Sequence, residues 1–249
     1  MSLIEKLSKI WSGISYPFLI HNNEKVKFSQ LKQLKFFDLS LVKQGDVVAI
    51  IGDFNLKSIL TILRLIDLKA IIVPLTVDTK NYHDYFFESA LVDYVIKDDL
   101  IIKINHKKEN DLINILRSKN HAGLILFSTG TTGKQKAILH DLTLFLKRYE
   151  SPRPTLKTIN FLLFDHIGGI NTLLHTLFNK GTVVVPESRT VDSILKICKK
   201  HNVELLPTTP TFLRLILMSN SFPDKIPSCI KIITYGTERM DQSTLDKLC

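Results

Sequence analysis

Short apolar runs of strand length alternate along this chain with stretches in which apolar residues recur three and four apart. A run at 46–51 follows the turn signal Gly45-Asp46 and leads into a helical pattern over 56–66. Residues 70–73 are strand-like again, followed by a polar and aromatic helix over 81–90, a short strand at 94–96, an irregular charged stretch and an apolar strand at 123–127. Past Lys136 the same grammar recurs, with a strand at 161–164, a helix at 168–178, a strand at 182–185 and a helix at 191–200. A last round places a strand at 203–206, a helix at 210–218 with proline in its first turn, a strand at 230–234 and a helix opening at Gln242. This alternation predicts an α/β fold with layered, mainly parallel sheets joined by crossover helices.

Composition narrows the picture without naming a function. With 249 residues, 45% of them hydrophobic and 23% charged, the chain reads as globular and long enough to bury a core without disulfide or metal staples. Ten glycines and nine prolines exclude collagen-like and low-complexity classes. The charged segment 98–119, which includes His106-Lys107-Lys108, is read as the internal boundary, giving a first α/β region over 1–118 and a second over 119–249. The net charge of +9 favours phosphate-bearing partners but identifies none. The basic cluster lacks interleaved aromatic residues, so it is read as a solvated surface and no nucleic-acid partner is expected, although a basic nucleic-acid binder stays open as a rival. Cys198, Cys229 and Cys249 are odd in number and lack CxxC spacing, which points away from a disulfide framework or zinc site and toward a reducing compartment. Glu5, Lys6 and Lys9 interrupt the N-terminal apolar positions, so neither a signal peptide nor stable membrane insertion is expected, and a cytoplasmic location is read.

The segment richest in candidate chemistry is 124–136, Leu-Ile-Leu-Phe-Ser-Thr-Gly-Thr-Thr-Gly-Lys-Gln-Lys. An apolar strand runs directly into small and hydroxylated residues. Glycines let backbone N–H groups close on an anion, the hydroxyls of Ser128, Thr129, Thr131 and Thr132 can donate to phosphate oxygens, and Lys136 adds positive charge. The pattern is not a Walker A loop, because Ser128 stands where the first glycine belongs and Gln135 where Ser or Thr belongs. Nor is it a dinucleotide fingerprint, since Gly130 and Gly133 have no glycine partner at Ser128. Composition alone leaves a polar turn between strands as the alternative.

This stretch resembles the signature loop of the acyl-adenylate-forming superfamily, which includes acyl-CoA synthetases, luciferases and the adenylation domains of peptide synthetases. That loop reads Ser or Thr twice, then Gly-Thr-Thr-Gly, any residue, Pro, Lys, and Gly or Ala. Ser128 to Gly133 and Lys136 fit, while Gln135 stands where proline is usual and Ala137 where glycine is commonest. Further similarities follow in order: Gly45-Asp46-Val47-Val48-Ala49-Ile50, Val73-Pro74-Leu75, Phe164-Asp165-His166-Ile167-Gly168-Gly169 and the strand at 181–185. The resemblance implies that Ser128, Thr129, Gly130, Thr131, Thr132, Gly133 and Lys136 hold ATP phosphates, and that Lys136 and His166 are catalytic. It implies an acyl pocket of His166, Gly168, Gly169 and Thr209, within 208–211. A packed histidine is the plainer alternative for His166. Amino-acid-activating members typically carry an aspartate at the His166 position, so the histidine argues against an amino acid, while Asp165 beside it keeps that exception open.

Tyr235-Gly236-Thr237-Glu238 superficially matches a later family motif but is one residue too short. Its separation from Gly130, 236 minus 130 or 106 residues, is similar to that of the earlier adenine-contacting segment, which implies adenine binding by Gly236, Thr237 and Glu238. A plain strand-to-helix turn capped by Asp241 or Ser243 is the alternative. The implied reaction couples ATP and Mg2+ to activation of a carboxylic acid, with coenzyme A or a carrier protein as thiol acceptor; no metal ligand is assigned within the chain. The family's magnesium-associated glutamate, its ribose-holding aspartate and its C-terminal domain would lie beyond residue 249. The chain is therefore read as the N-terminal half of such an enzyme, with the other half or a complementing chain as partner, and as not competent for adenylation by itself. A non-catalytic nucleotide-binding or interaction module and an amino-acid adenylation fragment remain open.

Overall fold

The computed structural model describes residues 1–33, 37–104, 108–128, 134–219 and 226–248. Its strands are β1 Pro17–His21, β2 Glu24–Lys27, β3 Val47–Ile51, β4 Ile71–Leu75, β5 Tyr94–Lys97, β6 Leu100–Lys103, β7 Gly123–Ser128, β8 Lys136–Asp141, β9 Thr158–Ile159, β10 Val183–Val185, β11 Leu205–Thr208 and β12 Ile232–Tyr235. Its helices are α1 Leu3–Ile10, α2 Leu56–Asp67, α3 His83–Ala90, α4 Asp111–Ser118, α5 Leu142–Phe145, α6 Ile167–Phe178, α7 Val191–His201, α8 Pro210–Met218 and α9 Gln242–Asp246. They fall into two compact units, one of Met1–Ser12, Ser29–Ser151 and Leu163–Ile170, the other of Gly13–Phe28, Pro152–Leu162 and Asn171–Cys249.

The first unit holds a six-stranded sheet in the order β6-β5-β3-β4-β7-β8. Its four inner strands are parallel and its two edges antiparallel. β3 and β4 are almost continuously apolar because both of their faces are covered. Val47, Ala49, Ile71, Val73 and Ile125 join a core with Phe86 and Ala90 of α3 and Ile113 and Leu116 of α4. The intervening Val48, Ile50, Ile72 and Leu124 are equally buried. Helix α2 starts where the Asn55 side chain accepts the Ser58 amide at 2.9 Å, satisfying an amide that the helix itself leaves unpaired. The turn before β3 needs Gly45, whose φ of +77° lies in the left-handed region.

The second unit holds another six-stranded sheet, in the order β12-β11-β9-β10-β1-β2, parallel except for β2. Its core gathers Ile20, Ile159 and Val184 from the sheet with Ile194, Leu195 and Cys198 of α7 and Phe212, Leu213 and Ile216 of α8.

Several expectations need correction. The segment 98–119 is not a boundary: β6 pairs with β5, and α4 packs Ile113 and Leu116 into the core, so Ser29–Ser151 stays within one unit. His106 and Lys107 lie outside the described residues. The run 161–164 is not a strand; the ladder is formed earlier, at Thr158–Ile159, while Phe161 and Phe164 are buried as anchors of an irregular segment. The antiparallel strands β2 and β8 and the opening strand β1 had no counterpart in the hydropathy reading. No helix among the described residues is long and apolar enough to cross a membrane.

Candidate functional site

In open α/β sheets, ligand groups gather at the carboxyl ends of the strands. β4 and β7 are paired in parallel at Ile72 and Leu124, and four residues further along each, at 72 + 4 and 124 + 4, stand Thr76 and Ser128. The β7–β8 ladder continues to its last rung, Ser128 opposite Lys136, so the hairpin sets a hydroxyl residue across from an exposed lysine. Thr129, Gly130, Thr131, Thr132 and Gly133 lie outside the described residues.

Near the end of β4, side chains distant in sequence meet. Thr76 donates its hydroxyl to Asp165 Oδ2 at 3.3 Å. The Thr76 carbonyl accepts from Thr79 at 2.9 Å and lies 3.0 Å from His83 Nε2; since a carbonyl can only accept, that nitrogen carries the proton. Asp165 Oδ1 is buried and has no hydrogen-bond partner among the described residues. His166 Nε2 is 3.9 Å from it, beyond hydrogen-bond range. The His166 side chain is 57% exposed and that of Asp165 only 15%, so the carboxylate is the member of the pair turned inward. Behind them Phe54 and Phe164 meet edge to face at 5.0 Å. Gly169 lies against this pair, where a Cβ would stand 2.8 Å from Phe54 Cε2 and closer still to the Leu163 carbonyl. Gly168 is the second residue of α6 and partly exposed.

In the second unit, β11 and β12 end side by side, with Thr208 level with Tyr235. Thr209 caps α8, accepting the Phe212 amide at 3.2 Å, so its hydroxyl is already engaged. Thr208 Oγ1 is buried without a partner among the described residues. Beyond β12, Glu238 Oε2 accepts both the amide and the hydroxyl of Thr211, at 3.2 and 2.5 Å. The amide is one of those an α-helix leaves unpaired in its first turn, where negative charge is favoured. One turn on, Arg214 gives Nε and Nη2 to Asp241 Oδ2 at 3.1 and 3.0 Å, with Nη1 4.0 Å from Glu238. The Asp241 carboxyl also caps α9, and bonds from the Ser243 hydroxyl, from Thr244 and from Arg214 hold it well below the usual aspartate range. Segment 236–241 is thus strapped to α8. Within it Thr237 has φ +69°, a costly conformation for a β-branched residue. A Cβ on Gly236 would meet nothing within 4 Å.

The family model described as AMP-binding enzyme matches residues 47–248. The chain belongs to the AMP-binding enzyme family. Members of this family use ATP and Mg2+ and bind an acid substrate. Among curated proteins this AMP-binding chain is 21% identical to gramicidin S synthase 2 of Brevibacillus brevis over 88% of its own length, and it spans 6% of that protein. Among solved structures, the N-terminal subdomain of Klebsiella oxytoca NpsA, in complex with 3-hydroxyanthranilyl-AMSN, superposes with a TM-score of 0.78 and 16% identity over 98% of this chain and 69% of that one. The luciferase-like enzyme of the nonluminescent mealworm Zophobas morio gives 0.75 and 16% over 100% and 69%. The N-terminal domain of FACL13 from Mycobacterium tuberculosis gives 0.75 and 12% over 100% and 73%. These likenesses establish the fold, an N-terminal portion of an adenylate-forming domain with two mostly parallel sheets.

Within the AMP-binding chain, the structure brings Ser128 opposite Lys136 and places Glu238 on the first turn of α8. Sequence reasoning missed Thr76, His83 and Arg214 as supporting residues. Only Thr76 carried a signal, as the polar residue that ends the apolar run at 70–75. Among the described residues no group of three or more His, Cys, Asp or Glu is arranged to hold a metal ion.

Proposed function

We propose that this chain carries the ATP-binding and acid-binding part of an enzyme that activates a carboxylic acid as its acyl-adenylate. The observation that carries the reading is the β7–β8 hairpin, whose last rung sets Ser128 opposite Lys136 at the carboxyl end of a parallel sheet, in a chain of the AMP-binding family. Ser128 and Lys136, with Thr129, Gly130, Thr131, Thr132 and Gly133 between them, hold the β- and γ-phosphates. Gly236 leaves its backbone uncovered for a planar base, with Thr237 and Glu238 beside it; the empty space around its missing side chain fits that role.

A carboxylate oxygen attacks the α-phosphorus, the bond to the β-phosphate oxygen breaks, and pyrophosphate departs with the electron pair. Two anions must meet and charge must shift to the leaving group, so positioning and fixed positive charge matter more than a protein nucleophile. Lys136 supplies such a charge. Mg2+, when bound, neutralises further charge on the triphosphate. The sulfur of a thiol, having lost its proton, then attacks the acyl carbon, and AMP departs with the electron pair of the acyl–oxygen bond; the thiol is that of coenzyme A or of a carrier protein.

The acid is bound beside Asp165, His166, Gly168 and Gly169. A specific observation favours an acid bearing an amino group: Asp165 Oδ1 is buried and without a hydrogen-bond partner among the described residues, and an ammonium would satisfy it.

Calorimetric titration with ATP and Mg2+ is the first test, with saturable binding that Lys136→Ala weakens about tenfold, or about 1.4 kcal/mol. Absence of ATP binding, or binding indifferent to Lys136, would sink the reading. Calorimetric titration with matched acids, with and without an amino group, then tests the substrate class, and tighter binding of the acid without an amino group would overturn that assignment.

A further inference from the structure

We infer that Tyr85 is a positioning residue for the phosphate-binding hairpin, its hydroxyl doing the work of the proline that this chain lacks at position 135. The inference rests on the reading of β7–β8 as the phosphate-binding element. A proline there would fix φ near −65° ahead of Lys136. Gln135 leaves that torsion free, and the structure shows a different restraint on the other side of the same residue. The Tyr85 hydroxyl donates to the Gln135 carbonyl at 2.6 Å, a short and well-formed O–H···O bond. That carbonyl belongs to the peptide unit joining Gln135 to Lys136, so the bond sets the orientation from which the lysine side chain departs.

The opposite stem is held from the same helix. Phe86, the next residue of α3 and 1% exposed, stacks on Phe127 of β7 with ring centroids 4.0 Å and planes 24° apart. Phe127 immediately precedes Ser128. Consecutive helical residues point about 100° apart, which lets neighbours on one turn of α3 engage two different strands. The helix is itself pinned, since His83 at its start donates to the Thr76 carbonyl and Ala90 at its end lies in the core. The two contacts differ in kind: stacking of Phe86 is part of the core, whereas the Tyr85 side chain is exposed and its hydroxyl, among the described residues, bonds to the hairpin.

Tyr85→Phe removes the hydroxyl and keeps the ring against Phe86. Two readouts follow. Without nucleotide, trypsin cleavage after the exposed Lys134 is expected to quicken about fivefold while the thermal midpoint stays put, a factor in keeping with loss of one neutral hydrogen bond. With nucleotide, affinity for ATP is expected to fall by a similar factor and affinity for AMP, which lacks the β- and γ-phosphates, to stay within about twofold. Adding Gln135→Pro to Tyr85→Phe is expected to restore ATP affinity; cleavage after Lys134 is not read in that variant, because trypsin does not cut a Lys–Pro bond. Unchanged cleavage, an equal loss for ATP and AMP, or no recovery in the double variant overturns the assignment. Wild-type protein that binds neither nucleotide, with cleavage still quickened in Tyr85→Phe, overturns the phosphate-binding reading and with it the role of the anchor, while leaving the anchor itself demonstrated.

Discussion

Two glycines of the proposed site should respond oppositely to a single added methyl group. At Gly169 the new Cβ would lie 2.8 Å from Phe54 Cε2, so restoring an ordinary 3.4 Å contact requires a retreat of 3.4 − 2.8, or 0.6 Å. Phe54 is 1% exposed and wedged against Phe164, and the second obstacle, the Leu163 carbonyl, is backbone, so neither can yield cheaply. Overpacking of this kind costs about 1–3 kcal/mol, and the rigid surroundings place Gly169→Ala near the upper end. Exchange of glycine for alanine in a helix returns at most about 1 kcal/mol. The net loss is therefore about 2 kcal/mol, or a urea midpoint lowered by about 1 M for a slope near 2 kcal/mol per molar. At Gly236 nothing lies within 4 Å of the added carbon and φ is outside the left-handed region, so Gly236→Ala should change stability by less than about 0.5 kcal/mol. Its effect is expected on ATP affinity instead, lowered about tenfold by a methyl group projecting where the base lies. Urea unfolding followed by fluorescence, with ATP titration of each variant, measures both quantities. A Gly169→Ala protein as stable as wild type would refute the packing argument; a Gly236→Ala protein that binds ATP normally would remove the adenine assignment.

The Asp241 carboxyl is held below its ordinary range by Ser243, Thr244 and Arg214, so its contribution to stability is complete above that range and is lost as pH falls through it and below; Asp241→Ala should flatten this acid limb of the stability profile, and an unchanged limb would count against the cap. Cys198 is fully buried and burial pushes its thiol up to about 12, so iodoacetamide at pH 8 followed by peptide mapping should leave it unmodified until the protein is unfolded. Thr208→Val replaces a buried hydroxyl that has no partner among the described residues by a methyl group of the same shape and should stabilise the free protein by about 1 kcal/mol; a loss of stability would mean that the hydroxyl has a partner.

The helices were readable because what makes them is local. Asn55, Thr190 and Thr209 each accept an amide three residues ahead, and the apolar positions behind them repeat with the helical period. The edges of the sheets were not readable. Leu100 and Ile102 of β6 remain 63% and 48% exposed although they belong to a strand, and Glu24–Lys27 has almost no apolar character, so only the neighbouring strand makes either segment a ladder. The same distinction divides the candidate site. The loop at 128–136 and the turn at Gly236 announce themselves through residue types at short spacing. The Thr76 bond to Asp165 spans 89 positions, that of Tyr85 to Gln135 spans 50, and that of Arg214 to Asp241 spans 27.

By itself the sequence determined the α/β class, the succession of most strands and helices along the chain, and the small-residue loops on which the proposed nucleotide-binding function rests, because each depends on contacts between near neighbours in the chain. It treated Gly169 and Gly236 alike, and it weighed His166 ahead of Asp165. Only the tertiary structure separated them: Gly169 is fixed by an aromatic pair and a distant carbonyl, Gly236 faces open space, and the carboxylate, not the imidazole, is turned inward. Those differences are decided by which strands lie side by side and in what register, and register is a property of residues far apart in the sequence.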